Sequence, residues 1–162
     1  MATSLPKNEI EIRRAVEQDA PAVANVLKVS FLEFKSLYTE GGFAATALDA
    51  SQVLARMSEG PVWVALRQNE IVGTVAAVIE AESVYVRGMA VGPSARGSGT
   101  GARLLQEVEN WARAGGHARL FLSTTPFLDS AIRLYERFGF RRSGSPGDLF
   151  GTPLFTMEKK LG

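Results

Sequence analysis

Cysteine is absent from the 162 residues, which excludes disulfides, thiol nucleophiles and thiolate metal sites together and leaves the redox compartment undetermined. Histidine occurs once, as His117. With the carboxylates scattered, the ligand clusters that zinc or non-haem iron require cannot be assembled, so no metal is expected. Long apolar runs are also missing. Met1 to Arg14 is polar and holds neither a signal-peptide core nor a membrane span, so the chain is expected to stay in water, off membranes, with the cytoplasm as its default location. No excess of one charge exists either: 18 Lys and Arg oppose 17 Asp and Glu, which argues against nucleic acid as a ligand.

What remains is an ordinary globular composition, 46% hydrophobic and 22% charged, at a length suited to one core. One domain is expected over residues 9–160, preceded by a flexible N-terminus, 1–8. Glu9 to Arg13 alternates as a half-buried strand. Val23, Val26, Leu27, Phe31 and Phe34 then recur every three to four residues, predicting a helix from Asp19 to about Tyr38 that Glu40-Gly41-Gly42 ends. A second helix is expected from Asp49 to Ser58, with Val53, Leu54 and Met57 inward and Gly60-Pro61 as its stop. Strands at Pro61–Leu66, Ile71–Ile79 and Ser83–Val91, joined by turns at Gln68-Asn69 and Glu80-Ala81-Glu82, read as an antiparallel meander. Beyond Val91 come a glycine-rich turn, a helix from Thr100 to Ala114 with Leu104, Leu105, Val108 and Trp111 on its buried stripe, and a strand at Leu120–Leu122. A helix from Asp129 to Phe138 stopped by Gly139, a Gly- and Pro-rich loop from Ser143 to Pro153 and a strand at Leu154–Met157 close the chain. No repeat or linker interrupts this order, so one mixed sheet with helices on both faces, an α/β or α+β fold, is expected.

The segment Val91 to Gly101 carries the chemistry. Gly97, Gly99 and Gly101 lack a Cβ, so the chain can turn tightly and bring main-chain N–H groups to an anion. A helix starts immediately afterwards, and its first turn adds unpaired N–H groups and the positive end of the helix dipole, which suits a pyrophosphate. Arg96 can add a fixed, bidentate positive charge. Two rival phosphate motifs fail on spacing. In a P-loop a lysine would stand at Ser98, and no lysine lies between Lys35 and Lys159; in a dinucleotide fingerprint a glycine would stand at Ala102, after a parallel rather than an antiparallel strand. A turn with no ligand is the simplest alternative.

Arg96-Gly97-Ser98-Gly99-Thr100-Gly101 fits the pattern [Q/R]-x-x-G-x-[G/A], and in this the sequence resembles the GNAT superfamily of N-acetyltransferases. Met89-Ala90-Val91-Gly92-Pro93 resembles the strand end before that loop, and Ala131 to Phe140 resembles the later A-x-x-L-Y-x-x-x-G-F segment. The order of elements is similar over Glu9 to Lys160. The resemblance implies a mostly antiparallel sheet of six to seven strands, splayed between the fourth and fifth, and acetyl-CoA as co-substrate. It implies that the main chain of Met89, Ala90 and Val91 binds the pantetheine arm as an added strand and that Arg96 to Gly101 hold the pyrophosphate. It also implies direct attack by an amine of a small molecule or peptide in a ternary complex, without an acyl-enzyme, which agrees with the missing cysteine.

Tyr135 matches the tyrosine of the L-Y pair, which the resemblance makes the general acid for the departing thiolate; by spacing alone it is a helix-face aromatic packed with Leu128, Ile132 and Phe138. Glu80 and Glu82, in the turn before the fourth strand, are the carboxylates that can act as base, through water, and read equally as solvated turn residues. His117 reads as a surface residue. Leu128 stands where the family often has an Asn that contacts coenzyme A; Asp129 can replace that contact, although a helix N-cap is its simpler role. Phe31, Glu33, Phe34 and Tyr38, with Phe43, come from the region where the acceptor site is expected, and aromatics with a carboxylate suit an amine. Asp148 is a further acceptor-side candidate. The architecture accommodates a homodimer. A non-catalytic acyl-CoA sensor of the same fold and a plain interaction domain are the other readings, and the first predicts binding without turnover.

Overall fold

Residues 9–162 are described by the computed structural model, so the expected flexible segment 1–8 lies outside the described residues. Strand β1 (Ile10–Arg14) turns through Glu17–Asp19 into helix α1 (Ala20–Phe31), and Asp19 holds the turn by accepting from Arg13 Nη1 at 2.7 Å and from the Val16 N–H at 2.7 Å. The expected helix to Tyr38 stops at Phe31 and tightens into a 3-10 segment, Leu32–Leu37. Three residues per turn align Phe31 with Phe34, and Tyr38 is extended, which turns these rings toward one another.

Gly41-Gly42 ends nothing. It lies in the first turn of α2 (Glu40–Thr46), capped by Thr39, whose hydroxyl accepts from the Gly42 N–H at 3.0 Å. The glycines are needed for close approach: a Cβ on Gly41 would stand 2.9 Å from Phe150 Cβ, and one on Gly42 would overlap Thr152 Oγ1. Helix α3 (Ala50–Glu59) starts with a reciprocal cap between Asp49 and Gln52. Val53 is buried and Met57 packs against the core, whereas Leu54, expected inward, is 42% exposed. Residue Arg56, at i+3 from Val53, takes the sheet-facing position instead.

Strands β2 (Val62–Arg67), β3 (Glu70–Glu80) and β4 (Ser83–Val91) form the expected meander, with Gln68 and Asn69 at positive φ in the first turn and Ala81 in the second. Helix α4 (Thr100–Ala114), β5 (Arg119–Thr124), α5 (Asp129–Phe138), β6 (Arg141–Leu149) and β7 (Thr152–Lys160) complete one seven-stranded sheet of order β1-β2-β3-β4-β5-β7-β6. Most of the expected loop Ser143–Pro153 is therefore β6 and the turn to β7. Gly144, Pro146 and Gly147 sit on the edge strand β6, whose register shifts between Ser143 and Gly147, where they cost the ladder little, while Gly151 lies in the turn and Pro153 lies at the start of β7.

Strand β2 is buried on both faces, and its alternation divides two cores. Trp63 and Ala65 face Leu104, Leu105 and Val108 of α4, while Val64 and Leu66 face Val23 and Leu27 of α1 and Val53 of α3. The sole parallel contact in the sheet is β4 with β5, and it covers just Ser83–Tyr85 against Arg119–Phe121. Beyond Tyr85 the strands diverge, as the family resemblance implies.

Glu109 fixes α4 to the sheet. Its Oε1 accepts from Lys159 Nζ of β7 at 2.6 Å and its Oε2 from Arg113 Nε at 3.1 Å. Burial alone would push this carboxyl up, but the bonds and charges of Lys159 and Arg113 outweigh it and leave it below the usual glutamate range. A group lowered in the folded state contributes above its unfolded value and loses that contribution as the pH falls through the folded one. Urea denaturation of Glu109→Gln is expected to show a loss of about 1.5–3 kcal/mol at neutral pH. The gap from the unsubstituted protein should close as the pH drops below 4.5; a constant gap would mean that Glu109 acts by packing rather than charge.

Candidate functional site

The loop after β4 is shaped by its own backbone. Gly92 donates to Val72 O at 2.7 Å and accepts from the Ala95 N–H at 2.9 Å, closing the short turn Pro93–Ala95. Gly97 (φ +77) and Gly99 (φ +79) are left-handed, and a Cβ on either would meet nothing within 4 Å. Both therefore present bare main chain to open space, at a cost of roughly 1–2 kcal/mol to any other residue type. Ser98 Oγ donates to Ala95 O and shares a hydrogen bond of 2.6 Å with Thr100 Oγ1, which fixes the segment between the glycines. The first intrahelical bond of α4 runs from the Arg103 N–H to Gly99 O at 3.1 Å. Thr100, Gly101 and Ala102 thus bring N–H groups that precede the helical ladder, at the positive end of the dipole. Such a helix start suits an anion.

Gly101 and Arg96 serve differently from the sequence expectation. A Cβ on Gly101 would stand 2.7 Å from Leu134 Cδ2, so this glycine admits α5 against the start of α4. The guanidinium of Arg96 is engaged by α1, its following turn and the end of β4: Nη2 donates to Ser30 O at 3.0 Å, Nε to Val91 O at 3.3 Å and Nη1 to Glu33. Arg96 ties the loop to α1, and Glu33, expected on the acceptor side, is its ion-pair partner.

Met89, Ala90 and Val91 end β4 on the diverging stretch, where Ala90 is buried against α1 and Met89 and Val91 pack toward α4. Tyr135 lies on α5, 6% exposed, edge-on to Phe140 at 5.9 Å, so its packing partner is Phe140 within the larger core. Burial, then the neighbouring Tyr38, pushes the Tyr135 hydroxyl well above the usual tyrosine value, so it stays a neutral phenol. Burial also raises Tyr38, against interactions with the Thr125 and Thr46 side chains. Thr125 Oγ1 is buried without a well-formed hydrogen bond, so its contact with Tyr38 is loose.

The aromatics Phe31, Phe34, Tyr38 and Phe43 do come together: Tyr38 meets Phe31, Phe43 and Phe127, and Phe127, 4.9 Å from Tyr38 and 6.3 Å from Phe34, links Phe34 to the group. Neither Phe127 nor Thr125 stood out in the sequence; the sole signal was an aromatic after Pro126 between a strand and a helix. Other expected residues lie apart. Glu80 and Glu82 are exposed in the turn where β4 and β5 are still paired, at the opposite end of β4 from the glycine loop. His117 stacks on Trp111 between α4 and β5. Asp129 is not the cap of α5: that position is Leu128, and Asp129 is an acid in the first turn. Asp148 accepts from the Gly151 N–H at 2.5 Å and shapes the β6–β7 turn. No group of three or more metal-binding side chains occurs among the described residues.

Residues 25–140 match the model of the acetyltransferase (GNAT) family. The chain is 41% identical over 101 residues to the IAA acetyltransferase of Azospirillum brasilense, covering 60% of this chain and 66% of that protein. It is 31% identical over 135 residues to the uncharacterized N-acetyltransferase YjgM of Escherichia coli (strain K12), covering 80% of each. The fold is shared with the PaiA N-acetyltransferase of Thermoplasma acidophilum solved in complex with coenzyme A, at a TM-score of 0.77 and 20% identity over 94% of this chain and 99% of that one.

The packing of Tyr135 sets a stability test. Tyr135→Phe keeps the ring and should change the unfolding free energy by less than about 1 kcal/mol, whereas Tyr135→Ala should lose about 3–5 kcal/mol to the cavity. Equilibrium denaturation of both separates the ring from the hydroxyl, and a large loss in the phenylalanine variant would make the hydroxyl itself structural.

Proposed function

The chain belongs to the acetyltransferase (GNAT) family, and from that membership we propose that residues 9–160 form a single N-acetyltransferase domain that uses acetyl-CoA. The acetyl group passes directly to a primary amine of a small molecule or peptide within a ternary complex. The observation that carries this reading is the bare main chain at Gly97 and Gly99, in open space at the start of α4. The coenzyme A complex of the PaiA neighbour supports the choice of ligand.

In this reading the main chain of Met89 to Val91 receives the amide-bearing arm of the co-substrate as an added strand. The N–H groups from Gly97 to Ala102 hold its pyrophosphate, without help from the Arg96 guanidinium, which is engaged by Ser30, Glu33 and Val91. Asp129, an acid in the first turn of α5, adds no positive charge for the phosphates. Holding two reactants in attack geometry contributes about 7–11 kcal/mol toward lowering the barrier, so the domain needs no nucleophile of its own.

Tyr135 supplies the departing thiolate with a hydrogen-bond donor. As a phenol whose ionisation burial opposes, it gives up its proton only as another arrives, and the ammonium proton of the tetrahedral intermediate is that replacement. The proton that the free ammonium substrate sheds before attack passes to water, because Glu80 and Glu82 lie in the turn at the far end of β4 from the glycine loop. The aromatic wall of Phe31, Phe34, Tyr38 and Phe127 bounds the acceptor side.

Acetyl-CoA at a hundred times its Kd is expected to raise the Tm by roughly 5–10 °C, from about 2.7 kcal/mol of preferential binding. Gly99→Ala brings the backbone strain alone and should keep the shift. Gly99→Glu brings bulk and negative charge and should abolish it; a full shift in a folded Gly99→Glu protein would remove the cradle from the account.

Thiol release tests the chemistry. Tyr135→Phe should keep the thermal shift and lose roughly 10²- to 10⁴-fold in turnover. Near-normal turnover where chemistry limits the rate would end the role of its hydroxyl, and binding without turnover on any amine would make the domain an acyl-CoA sensor.

A further inference from the structure

An arginine pair lies on the α3 side of β4, beside the stretch that leaves β5. Arg87 is two residues past the last β4–β5 pair, Tyr85 with Phe121, and Gly88 follows it at φ +62 in a bulge. Arg56 reaches across from α3: a Cβ on Gly88 would stand 2.7 Å from its Nη1, so the missing side chain makes room for the guanidinium over the strand. The same arginine lines a small cavity with Leu27 of α1, Val53 of α3, Thr74 of β3 and Gly88.

The charges here do not balance. Glu59 is the carboxylate of the cluster; its Oε2 accepts from Arg87 Nη2 at 2.8 Å, and its side chain is 53% exposed. The charged or titratable groups acting on Arg56 are Arg87, Tyr85 and Glu59, so two guanidiniums share one acid. Burial first, then the charge of Arg87, opposes protonation of Arg56. Arg87 Nε is buried and has no acceptor. A cationic pair held half inside the protein with an unanswered donor is an arrangement that a bound anion completes.

We propose that Arg56 and Arg87 form an anion subsite for the acceptor, selecting a primary amine that also carries a carboxylate. The proposal rests on the transferase reading above. Guanidinium forks match a carboxylate in plane and spacing, and the bulge places that carboxylate beside the segment of β4 assigned to the donor. The donor's own phosphates are assigned to the main chain of Gly97 to Ala102, which leaves the pair for the second substrate.

The test uses thiol release from acetyl-CoA with glycine, β-alanine, aspartate and glutamate, each against its primary amide, and with a dipeptide against its C-terminal amide. The acids are expected to exceed their amides in kcat/KM by at least about 10-fold. Arg56→Gln should cut that preference by about 10- to 100-fold, chiefly through KM, and Arg56→Lys should restore part of it. Whether free amino acids or the dipeptide show the larger preference identifies the source of the carboxylate.

Equal kcat/KM for acids and amides in the unsubstituted protein, or a ratio unmoved by Arg56→Gln, would overturn the subsite while leaving the transferase intact. A drop in acetyl-CoA affinity as the main effect of Arg56→Gln, measured by calorimetry, would reassign the pair to the donor and also overturn it. Absence of turnover with every amine would instead defeat the transferase reading, and the subsite with it.

Discussion

The structure turns on the early parting of β4 from β5. Two parallel strands that pair over Ser83–Tyr85 and Arg119–Phe121 and then separate leave main-chain donors and acceptors of β4 facing a gap. Backbone groups inside a protein are expensive to leave unpaired, so such a gap is maintained only if something of peptide-like character fills it or water does. A bulge at Gly88 bends β4 along this stretch, and β3 on its other side supplies the pairing that keeps it a strand. The glycine loop and the start of α4 follow directly at its end. Proximity of the gap to the glycine loop is thus a consequence of chain connectivity.

Keeping the gap open requires that the two halves of the sheet be held apart at a fixed angle. Glu109 and Lys159 fasten α4, which covers the first half, to β7, which belongs to the second. Phe127, between β5 and α5, packs on Phe34 and Tyr38 and closes the opposite side. Thr39 joins the start of α2 to the β6–β7 turn by donating to Phe150 O at 2.8 Å and by sharing a hydrogen bond with Thr152 Oγ1. Arg96 then ties the cradle to α1. The exposed Arg96–Glu33 pair contributes on the order of 0–1 kcal/mol and lies within the first half, whereas the Glu109, Phe127 and Thr39 contacts span the divide.

Local periodicity made much of this fold legible. The meander, α4, α5 and the glycine loop could be read because alternation, the 3.6-residue repeat and a left-handed glycine at Gly139 each report on their own neighbourhood. Errors arose where a distant segment decides the role of a residue. Gly41-Gly42 reads as a helix stop, yet it is a seat for Phe150 and Thr152, more than a hundred residues away in the chain. Glycine and proline in 143–153 read as a loop, yet an edge strand tolerates them. The direction of the Arg96 side chain and the link that Phe127 makes between Phe34 and Tyr38 were hidden for the same reason. Arg56 escaped because patterns of inward positions are sought among apolar residues, and Leu54 looked the better occupant.

At the candidate site, the tight turn at Gly97 and Gly99 was legible because glycine positions encode backbone conformation directly. Side-chain roles depend on burial, which the helix-face spacing of Tyr135 indicated, whereas its partner Phe140 and the upward push on its hydroxyl needed the fold. The central claim is that main-chain N–H groups from Gly97 to Ala102 receive the co-substrate's phosphates. Amide hydrogen exchange of the folded protein with and without acetyl-CoA addresses those groups one by one. The account predicts slowed exchange concentrated at Ser98 to Ala102 and along Met89 to Val91. Binding that leaves those amides unchanged, with protection appearing elsewhere on the surface, would contradict it.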